Sequence, residues 1–204
     1  MNQMIYKQIP LYRFVDLCKQ NRQTEDAKIL DCGAGGDMPP LGLFKFYGFQ
    51  TVGIEIDEKA IASANKFAET QGMDLNIIKG DMTQLNFEDS SFDFVYSYNS
   101  IFHMKKTEIE KAVKELKRVL KPGGLMFVNF LSVDDFRCGE GPDLGNHQYE
   151  QMDDEPVIHS YYNHHEADAY FGDMKVIIKE QRIINRIYEG NPIYQGFIDY
   201  ILEK

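Results

Sequence analysis

The sequence predicts a single α/β domain of the doubly wound type, with a mainly parallel seven-stranded sheet and a C-terminal antiparallel hairpin. Apolar segments of strand length alternate with amphipathic helical segments, which is typical of a parallel sheet covered on both faces. The 204 residues suffice for one hydrophobic core. The chain contains no internal repeat and no Gly/Ser-rich linker. We therefore expect one domain over residues 1–204.

The first half of the chain predicts a helix and then the sheet. A helix from about Ile5 to Cys18 carries apolar residues at helical spacing, and Pro10 either breaks it or starts it. We expect residues 1–22 to form a helical cap over a site and residues 23–131 to form the core. The expected parallel strands lie near 27–32, 50–56, 74–79, 92–97 and 124–131.

Sequence signals for helix ends place two helices between these strands. Asp57 caps a helix that ends before Gly72. Thr107 and Glu110 form a capping box for another helix, which Pro122-Gly123-Gly124 terminates. Both helices have the length needed to cross back over the sheet.

The last third of the chain predicts a lid and a sheet edge. Residues 132–163 form an unusually long connection with several glycines, and Tyr149, Tyr161 and Tyr162 supply aromatic walls, so we expect a lid over a pocket. Residues 164–204 predict a short helix over 164–171, capped by Asn163 and Glu166, and a hairpin of two strands over 174–187 and 194–203.

Composition excludes several classes of protein. Lys and Arg number 22 against 32 Asp and Glu, and the net charge of -10 opposes a nucleic-acid partner. Cys18, Cys32 and Cys138 are odd in number and lack a C-x-x-C pair, which indicates reduced thiols rather than disulfides or a zinc ribbon. No apolar run is long enough for a signal peptide or a membrane span. We therefore expect a cytoplasmic protein without a membrane partner.

A glycine-rich turn follows the first strand. The segment 29–37 reads Ile-Leu-Asp-Cys-Gly-Ala-Gly-Gly-Asp, and Pro39-Pro40 then opens a helix. Glycines let the main chain turn sharply and let a ligand approach it, and amides at the start of a helix point outward as donors. The alternative is an ordinary turn between a strand and a helix.

Acidic residues at three strand ends favour a cofactor loop over an ordinary turn. Asp31 ends the first strand, Glu55 ends the second, and Asp81 follows the third. Because the carboxyl ends of parallel strands share one edge of the sheet, these carboxylates are expected to lie together, with Glu55 placed to accept hydrogen bonds from a ribose diol. The pattern predicts a nucleoside cofactor.

The residues around the turn distinguish between nucleoside cofactors. A dinucleotide fingerprint beginning at Gly33 requires glycine at position 38, which is Met38. Asp31 would also repel a pyrophosphate, whereas it would attract the ammonium group of a methionine tail. A cationic sulfonium cofactor is therefore favoured, and a nicotinamide cofactor remains an alternative.

Five ordered motifs over about 27–131 resemble those of class I S-adenosylmethionine-dependent methyltransferases. They are Asp31-x-Gly33-x-Gly35, Glu55, Gly80-Asp81, the segment 85–95, and Leu116 through Gly124. The resemblance implies a Rossmann-like fold and S-adenosyl-L-methionine as cofactor. Asp37 stands where many members have a third glycine. The predicted cofactor-binding set is Asp31, Cys32, Gly33, Ala34, Gly35, Glu55, Ile56, Asp81, Met82 and Tyr98.

The segment after the fourth strand predicts the acceptor side. Its carboxyl end is expected beside the transferred methyl group, so Tyr98, Asn99 and His103 are the candidate catalytic residues. His103 is the candidate general base, and a packed or capping histidine is the alternative. His147, His159, His164 and His165 lack a recognisable ligand spacing, so the sequence predicts no metal site.

Three functions remain open from the sequence. Methyl transfer to a small-molecule acceptor under the lid is favoured, because the charge opposes a long polyanion. A methyltransferase for protein or RNA would instead need an open or basic face beside the cofactor. A non-catalytic cofactor-binding module has the same motifs, since fold alone does not establish turnover. The oligomeric state is not predicted.

Overall fold

The computed structural model describes residues 9–153, 155–188 and 190–204. Its α-helices are α1 (Ile9–Asn21), α2 (Leu41–Phe46), α3 (Glu58–Gln71) and α4 (Lys106–Val119). Its strands are β1 (Lys28–Cys32), β2 (Gln50–Glu55), β3 (Ile77–Lys79), β4 (Phe92–Ser97), β5 (Leu120–Ser132), β6 (Asp143–Gly145), β7 (Gln148–Met152), β8 (Pro156–Tyr162), β9 (Lys175–Tyr188) and β10 (Asn191–Glu203).

Seven of these strands form the predicted sheet. Their order is β3-β2-β1-β4-β5-β10-β9, with the first five parallel and β10 and β9 antiparallel. This confirms the doubly wound fold with a C-terminal hairpin. Parallel connections require a crossover, and α3 makes the one between β2 and β3.

Both faces of the sheet are buried, which explains the continuous apolar character of its central strands. On one face, α1 and α2 pack against the side chains of Phe94 and Tyr96. On the other face, α4 packs against Val95 through one apolar stripe. The alternation of these three residues along β4 follows the two-residue period of a strand.

The N-terminal helix lies on the sheet. Leu11, Phe14, Val15 and Cys18 are buried in the cluster that also contains Phe127. The part of the predicted helix before Ile9, including Ile5, falls outside the described residues. Among the described helices, none is long and apolar enough to cross a membrane.

The predicted helix ends are partly wrong. Asp57 does cap α3, and Gly72 ends it in the left-handed conformation at φ 63°. The start of α4, however, lies two residues before the predicted capping box: α4 begins at Lys106, and the Glu108 carboxylate accepts from the Lys105 amide at 3.1 Å, with no side-chain cap from Lys105. The predicted Glu110 instead forms an ion pair with Lys114, because the two are one helical turn apart.

The start of β5 also differs from prediction. Helix α4 ends at Val119, and β5 begins at the next residue rather than after Pro122-Gly123-Gly124. Proline forces the residue before it into an extended conformation, so the chain turns into the strand early. The pairing with β4 is irregular here and becomes regular at Phe94 with Leu125.

The predicted lid, residues 132–163, contains three strands. β6, β7 and β8 form an antiparallel unit, and β8 joins β5 in parallel through Leu131 with Tyr161 and Ser132 with Tyr162. The helix expected over 164–171 is a 3-10 turn, Glu166–Tyr170, in which Glu166 accepts from the Asn163 amide at 3.1 Å.

Phe130 lies where the lid segment, the 3-10 turn and the hairpin meet. Its ring is completely buried and contacts the rings of Tyr162, Tyr170, Phe171 and Tyr200. Large-to-small changes at such positions cost transfer free energy and leave a cavity.

We predict that Phe130→Ala lowers the free energy of unfolding by about 3–5 kcal/mol. Urea denaturation monitored by circular dichroism measures the change. Phe46→Ala is the matched control, because Phe46 is 58% exposed and its truncation is expected to cost about 0.5 kcal/mol or less. Equal losses for the two variants would contradict this description of the core.

Candidate functional site

A cavity of about 370 Å³ opens at the carboxyl ends of the parallel strands. Its volume lies in the usual range of ligand sites, about 300–1,000 Å³. It brings together several predicted cofactor residues with others that were not predicted. The lining is Gly33, Ile54, Glu55, Ile56, Gly80, Asp81, Met82, Thr83, Ser100, His103, Met104 and Glu108. We call it the first cavity.

The glycine loop allows no side chain at two positions. Gly33 has φ +98°, and a Cβ there would lie 1.8 Å from the Oγ of Ser100. A Cβ on Gly35 would lie 2.5 Å from the Cβ of Ala60 and 2.8 Å from a carboxylate oxygen of Glu55. Glycine is therefore required for the loop to pack against the end of β2 and the start of α3.

The amides of this loop are engaged within the protein. The amides of Gly33 and Ala34 both donate to the Ile54 carbonyl, at 2.9 and 3.0 Å, and the Gly35 amide donates to Glu55 Oε2 at 3.1 Å. These three amides are therefore not free to donate to a ligand, because the backbone of β2 and the Glu55 carboxylate accept from them.

Glu55 connects the loop to the strand that carries it. Besides the Gly35 amide, its carboxylate accepts from the amides of Ile56 at 2.8 Å and Asp57 at 3.1 Å. These contacts fix the side chain at the edge of the first cavity. A carboxylate has about four acceptor sites, so it retains capacity for a ligand hydroxyl.

Asp31 is a buried acid that lies next to this loop. Its side chain is 1% exposed, and its Oδ2 accepts from the Tyr96 hydroxyl at 2.6 Å. Burial raises the pKa of Asp31 to about 8, the Tyr96 hydrogen bond opposes this, and the charge of Glu55 adds to it. A cationic group brought to this position would favour the ionised form.

Apolar and polar groups share the far end of the first cavity. Ile56 is 64% exposed and lines the cavity with the partly buried Met82. Asp81 Oδ1 accepts from the amide and hydroxyl of Thr83, both at 2.8 Å, which fixes its orientation. This end therefore suits a flat apolar group with polar edges.

Cys32 and Ala34 are core residues that are absent from the described lining of the first cavity. Both side chains are fully buried, in the clusters on opposite faces of the sheet. Burial raises the pKa of the Cys32 thiol, so it is an inert core group. The roles of these residues and of the other predicted cofactor ligands stay predictions.

A second cavity, of about 230 Å³, adjoins the first. The two share His103 in their linings. The second cavity combines three charged residues with aromatic and polar groups. Its lining is Asn99, Phe102, His103, Leu131, Asp135, Arg137, Asp153, His159, Tyr161, Gln195 and Phe197.

His103 is uncharged at neutral pH. Its ring is exposed to the two cavities, but their walls withdraw it from bulk water. This desolvation lowers the pKa of His103 to about 4, and the nearby His159 contributes in the same direction. The ring centroids of the two histidines are 4.6 Å apart. His103 can therefore accept a hydrogen bond without presenting a positive charge.

The other two catalytic candidates, Tyr98 and Asn99, lie in different parts of the structure. Asn99 lines the second cavity in the left-handed conformation at φ 53°, and its Oδ1 accepts from the Asn129 amide group at 2.7 Å. Tyr98 is absent from the described linings of both cavities. Its ring lies 5.9 Å from that of Phe127 in the cluster on the other face of the sheet.

The lid segment supplies one of the predicted aromatic walls, Tyr161, together with His159 and with Asp153, which the sequence did not single out. Asp153 lies between β7 and β8, and His159 and Tyr161 project from β8 into the second cavity. Tyr162 is buried in the core instead.

The chain matches known proteins over its core. The family model described as a methyltransferase domain matches residues 30–128. A sterol 24-C-methyltransferase of Aspergillus fumigatus is 37% identical over 114 residues, which are 55% of this chain and 30% of that protein. The chain therefore matches less than a third of that relative's length.

Solved structures match nearly the whole chain in fold. A SAM-dependent methyltransferase from Methanosarcina mazei has a TM-score of 0.70 at 23% identity and covers 99% of both chains. A Pyrococcus horikoshii protein has a TM-score of 0.70 at 22% identity, covering 97% of this chain and 92% of that one. The chain thus carries a methyltransferase domain over residues 30–128, and the solved structures show that the whole described chain has the fold of these proteins.

Proposed function

We propose that this protein transfers a methyl group from S-adenosylmethionine in the first cavity to a small molecule in the second. The observation that carries the proposal is that His103 lines both cavities. The first cavity, where we place the cofactor, therefore adjoins the second cavity, where we place the methyl acceptor. This adjacency is the geometry that a transfer between two bound molecules requires.

The cofactor is expected to lie along the edge of the parallel sheet. Glu55 would accept hydrogen bonds from the ribose, and Ile56 and Met82 would contact the adenine beside Asp81. Asp31 would attract the ammonium group of the methionine part. This orientation directs the sulfonium toward Ser100 and His103, at the junction of the two cavities.

Methyl transfer from a sulfonium is an in-line displacement in which positive charge leaves the sulfur. The protein contributes alignment and exclusion of water, and no protein nucleophile is needed. A neutral His103 suits this position because it does not repel the cofactor. It can accept a hydrogen bond from an acceptor O–H or N–H and thereby orient the attacking lone pair.

The second cavity favours a small polar acceptor. Its volume of about 230 Å³ is below the usual range for drug-sized ligands, and Asp135, Arg137 and Asp153 place charges around it. A sterol is a large apolar molecule, so the substrate named for the Aspergillus fumigatus relative does not suit this space. The apolar contacts in its described lining include the side chains of Phe102, Leu131 and Phe197.

The alternatives from the sequence make different demands. A protein or RNA substrate requires an open face beside the cofactor, whereas the second cavity is bounded by β8 and by the turn after β4. A non-catalytic module would bind cofactor without turnover. A cytoplasmic location stays a prediction.

We predict saturable binding of S-adenosylmethionine and of its demethylated product by isothermal titration. Glu55→Ala is expected to weaken both affinities by about 1–3 kcal/mol, because ribose hydroxyls lose their acceptor and the Gly35 amide is released. Glu58→Ala is the control, since Glu58 is exposed and pairs with Lys79. Unchanged affinity in Glu55→Ala would reject the ribose role.

A second prediction concerns pH. Asp31 is protonated in the free protein below about pH 8, so binding of the cofactor's cationic tail must release its proton. Cofactor affinity should therefore rise as pH increases from about 6 to 7, where an α-amino group stays charged, by up to about tenfold per unit. Titrations at several pH values measure the slope.

Asp31→Asn is the matched variant for this prediction. It should bind cofactor more weakly and lose most of the pH dependence, because the amide has no proton to release. Between about pH 4 and pH 8, Asp31 ionises in the unfolded chain but not in the folded one, which lowers the free energy of unfolding of the wild-type protein as pH rises. The free energy of unfolding of cofactor-free Asp31→Asn should therefore fall less over this range than that of the wild type. A wild-type slope retained in Asp31→Asn would assign the titration to another group.

A third prediction separates the two cavities. Labelled S-adenosylmethionine and pools of small polar metabolites identify the acceptor. With that acceptor, His103→Ala should reduce transfer strongly while changing cofactor affinity by less than about tenfold, or roughly 1.4 kcal/mol. Undiminished transfer by the folded variant would remove His103 from the reaction.

A further inference from the structure

We propose that His103, Asp153 and His159 form a binding site for a divalent first-row transition metal ion, of which zinc is the probe. The sequence predicted no metal site, because these residues lie far apart in the chain. In the structure, one potential ligand atom from each residue lies within 4.8 Å of the others. Two imidazoles and one carboxylate are a recurrent ligand set for such ions.

The distance between two of the donors fits a shared ion. Nε2 of His159 and Oδ2 of Asp153 are 3.5 Å apart. Two ligands bound at about 2.1 Å to a tetrahedral ion are separated by about 3.4 Å. The His103 ring lies nearly perpendicular to that of His159, at 80°, with the ring centroids 4.6 Å apart. The His103 side chain is exposed, and its donor nitrogen lies within 4.8 Å of the other two donors, so the set is complete when this side chain turns toward them.

His159 is itself poorly satisfied by the described part of the protein. Its residue is 4% exposed, and its Nδ1 has no hydrogen-bond partner among the described residues. A buried polar group without a partner costs free energy. A bound ion would not satisfy Nδ1, but it would give a strong partner to Nε2, the ring nitrogen that faces Asp153 Oδ2.

Ser160 fixes the relative positions of the two histidines. Its amide donates to the Phe102 carbonyl at 3.0 Å, and its hydroxyl donates to the Met104 carbonyl at 2.7 Å. These carbonyls lie on either side of His103, and Ser160 follows His159 in β8. The backbone that carries one histidine is therefore bonded to the backbone that carries the other, as a preformed site requires.

Asp153 is oriented by a cation that does not occupy the ligand position. Arg137 donates to Asp153 Oδ1 at 2.8 Å, and the other oxygen, Oδ2, faces His159. Arg137 is also held by Glu140, at 3.0 Å. With Asp135 in the same lining, two carboxylates face one guanidinium in the second cavity. The remaining negative charge favours a divalent cation.

The site would act on the acceptor through the bound ion, which takes the place of the hydrogen bond to His103, and this role rests on the proposed function. Three protein ligands leave a position open toward the second cavity for an acceptor hydroxyl. Coordination acidifies that hydroxyl, which loses its proton to solvent. The oxygen lone pair then forms a bond to the methyl carbon as the carbon–sulfur bond breaks and its electron pair goes to sulfur. The products are a methyl ether, the neutral demethylated cofactor and one proton.

The test measures metal binding by the full chain without cofactor. Protein freed of metal with a chelator is titrated with Zn²⁺ by calorimetry and with Co²⁺ by visible absorption. We expect one ion per chain in this site. His103→Ala and Asp153→Asn should each weaken the affinity by roughly tenfold or more, and His165→Ala should not. His165 is the control because it is exposed and lies 3.0 Å from Asp168, so it offers another histidine–aspartate pair.

Circular dichroism establishes whether each variant is folded. If His103→Ala does not fold, the isosteric Asp153→Asn variant alone provides the test. No saturable binding at one ion per chain would overturn the proposal. So would affinities unchanged by His103→Ala and Asp153→Asn, or reduced equally by His165→Ala. Titration of the same preparations with S-adenosylmethionine separates the hypotheses, because cofactor binding without zinc binding rejects the metal site alone.

Discussion

The architecture depends on one mismatch of length inside the sheet, because β5 extends beyond the end of its parallel neighbour β4. The pairing of β4 ends at Ser97 with Val128, whereas β5 continues to Ser132. The buried main-chain groups of β5 beyond the end of β4 need hydrogen-bond partners, and β8 pairs with β5 along this edge. The connection after β5 is thereby turned back into the sheet. The wall of the second cavity is consequently part of the same hydrogen-bonded framework as the cofactor edge.

The cofactor edge itself carries a cost in stability. Asp31 is a carboxyl group held where burial disfavours its charge, and Glu55 is a second acid that raises its pKa further. The charged form of this carboxyl group is therefore disfavoured in the free protein. Functional sites commonly retain such groups at the expense of stability. A cationic ligand reverses the balance, so cofactor binding should stabilise the fold beyond what the contact area alone provides.

The fold and the cofactor edge were predictable because their signals are local. Apolar runs identified the seven strands, and acids such as Glu55 and Asp81 follow strands whose carboxyl ends share an edge. The second cavity was not predictable in this way. His103 and His159 come together because β5 and β8 pair over two residues. A pairing this short leaves no periodic pattern in the sequence from which it could be predicted. The misplaced capping box of α4 has a similar origin, since Glu108 and Glu110 are equally plausible until the turn containing His103 sets the first residue of the helix.

The alternation of side chains along β8 separates two kinds of sequence constraint within one short strand. His159 and Tyr161 face the ligand space, while Ser160 bonds to the turn after β4 and Tyr162 packs in the core. Under the proposed function, a substitution at position 159 can therefore alter the acceptor space and leave the contacts of Ser160 and Tyr162 in place, whereas one at Tyr161 also removes its hydrogen bond to Gln151. Under the proposed function, substitutions at these two positions would change acceptor preference. The residues that bind the cofactor would not need to change with them.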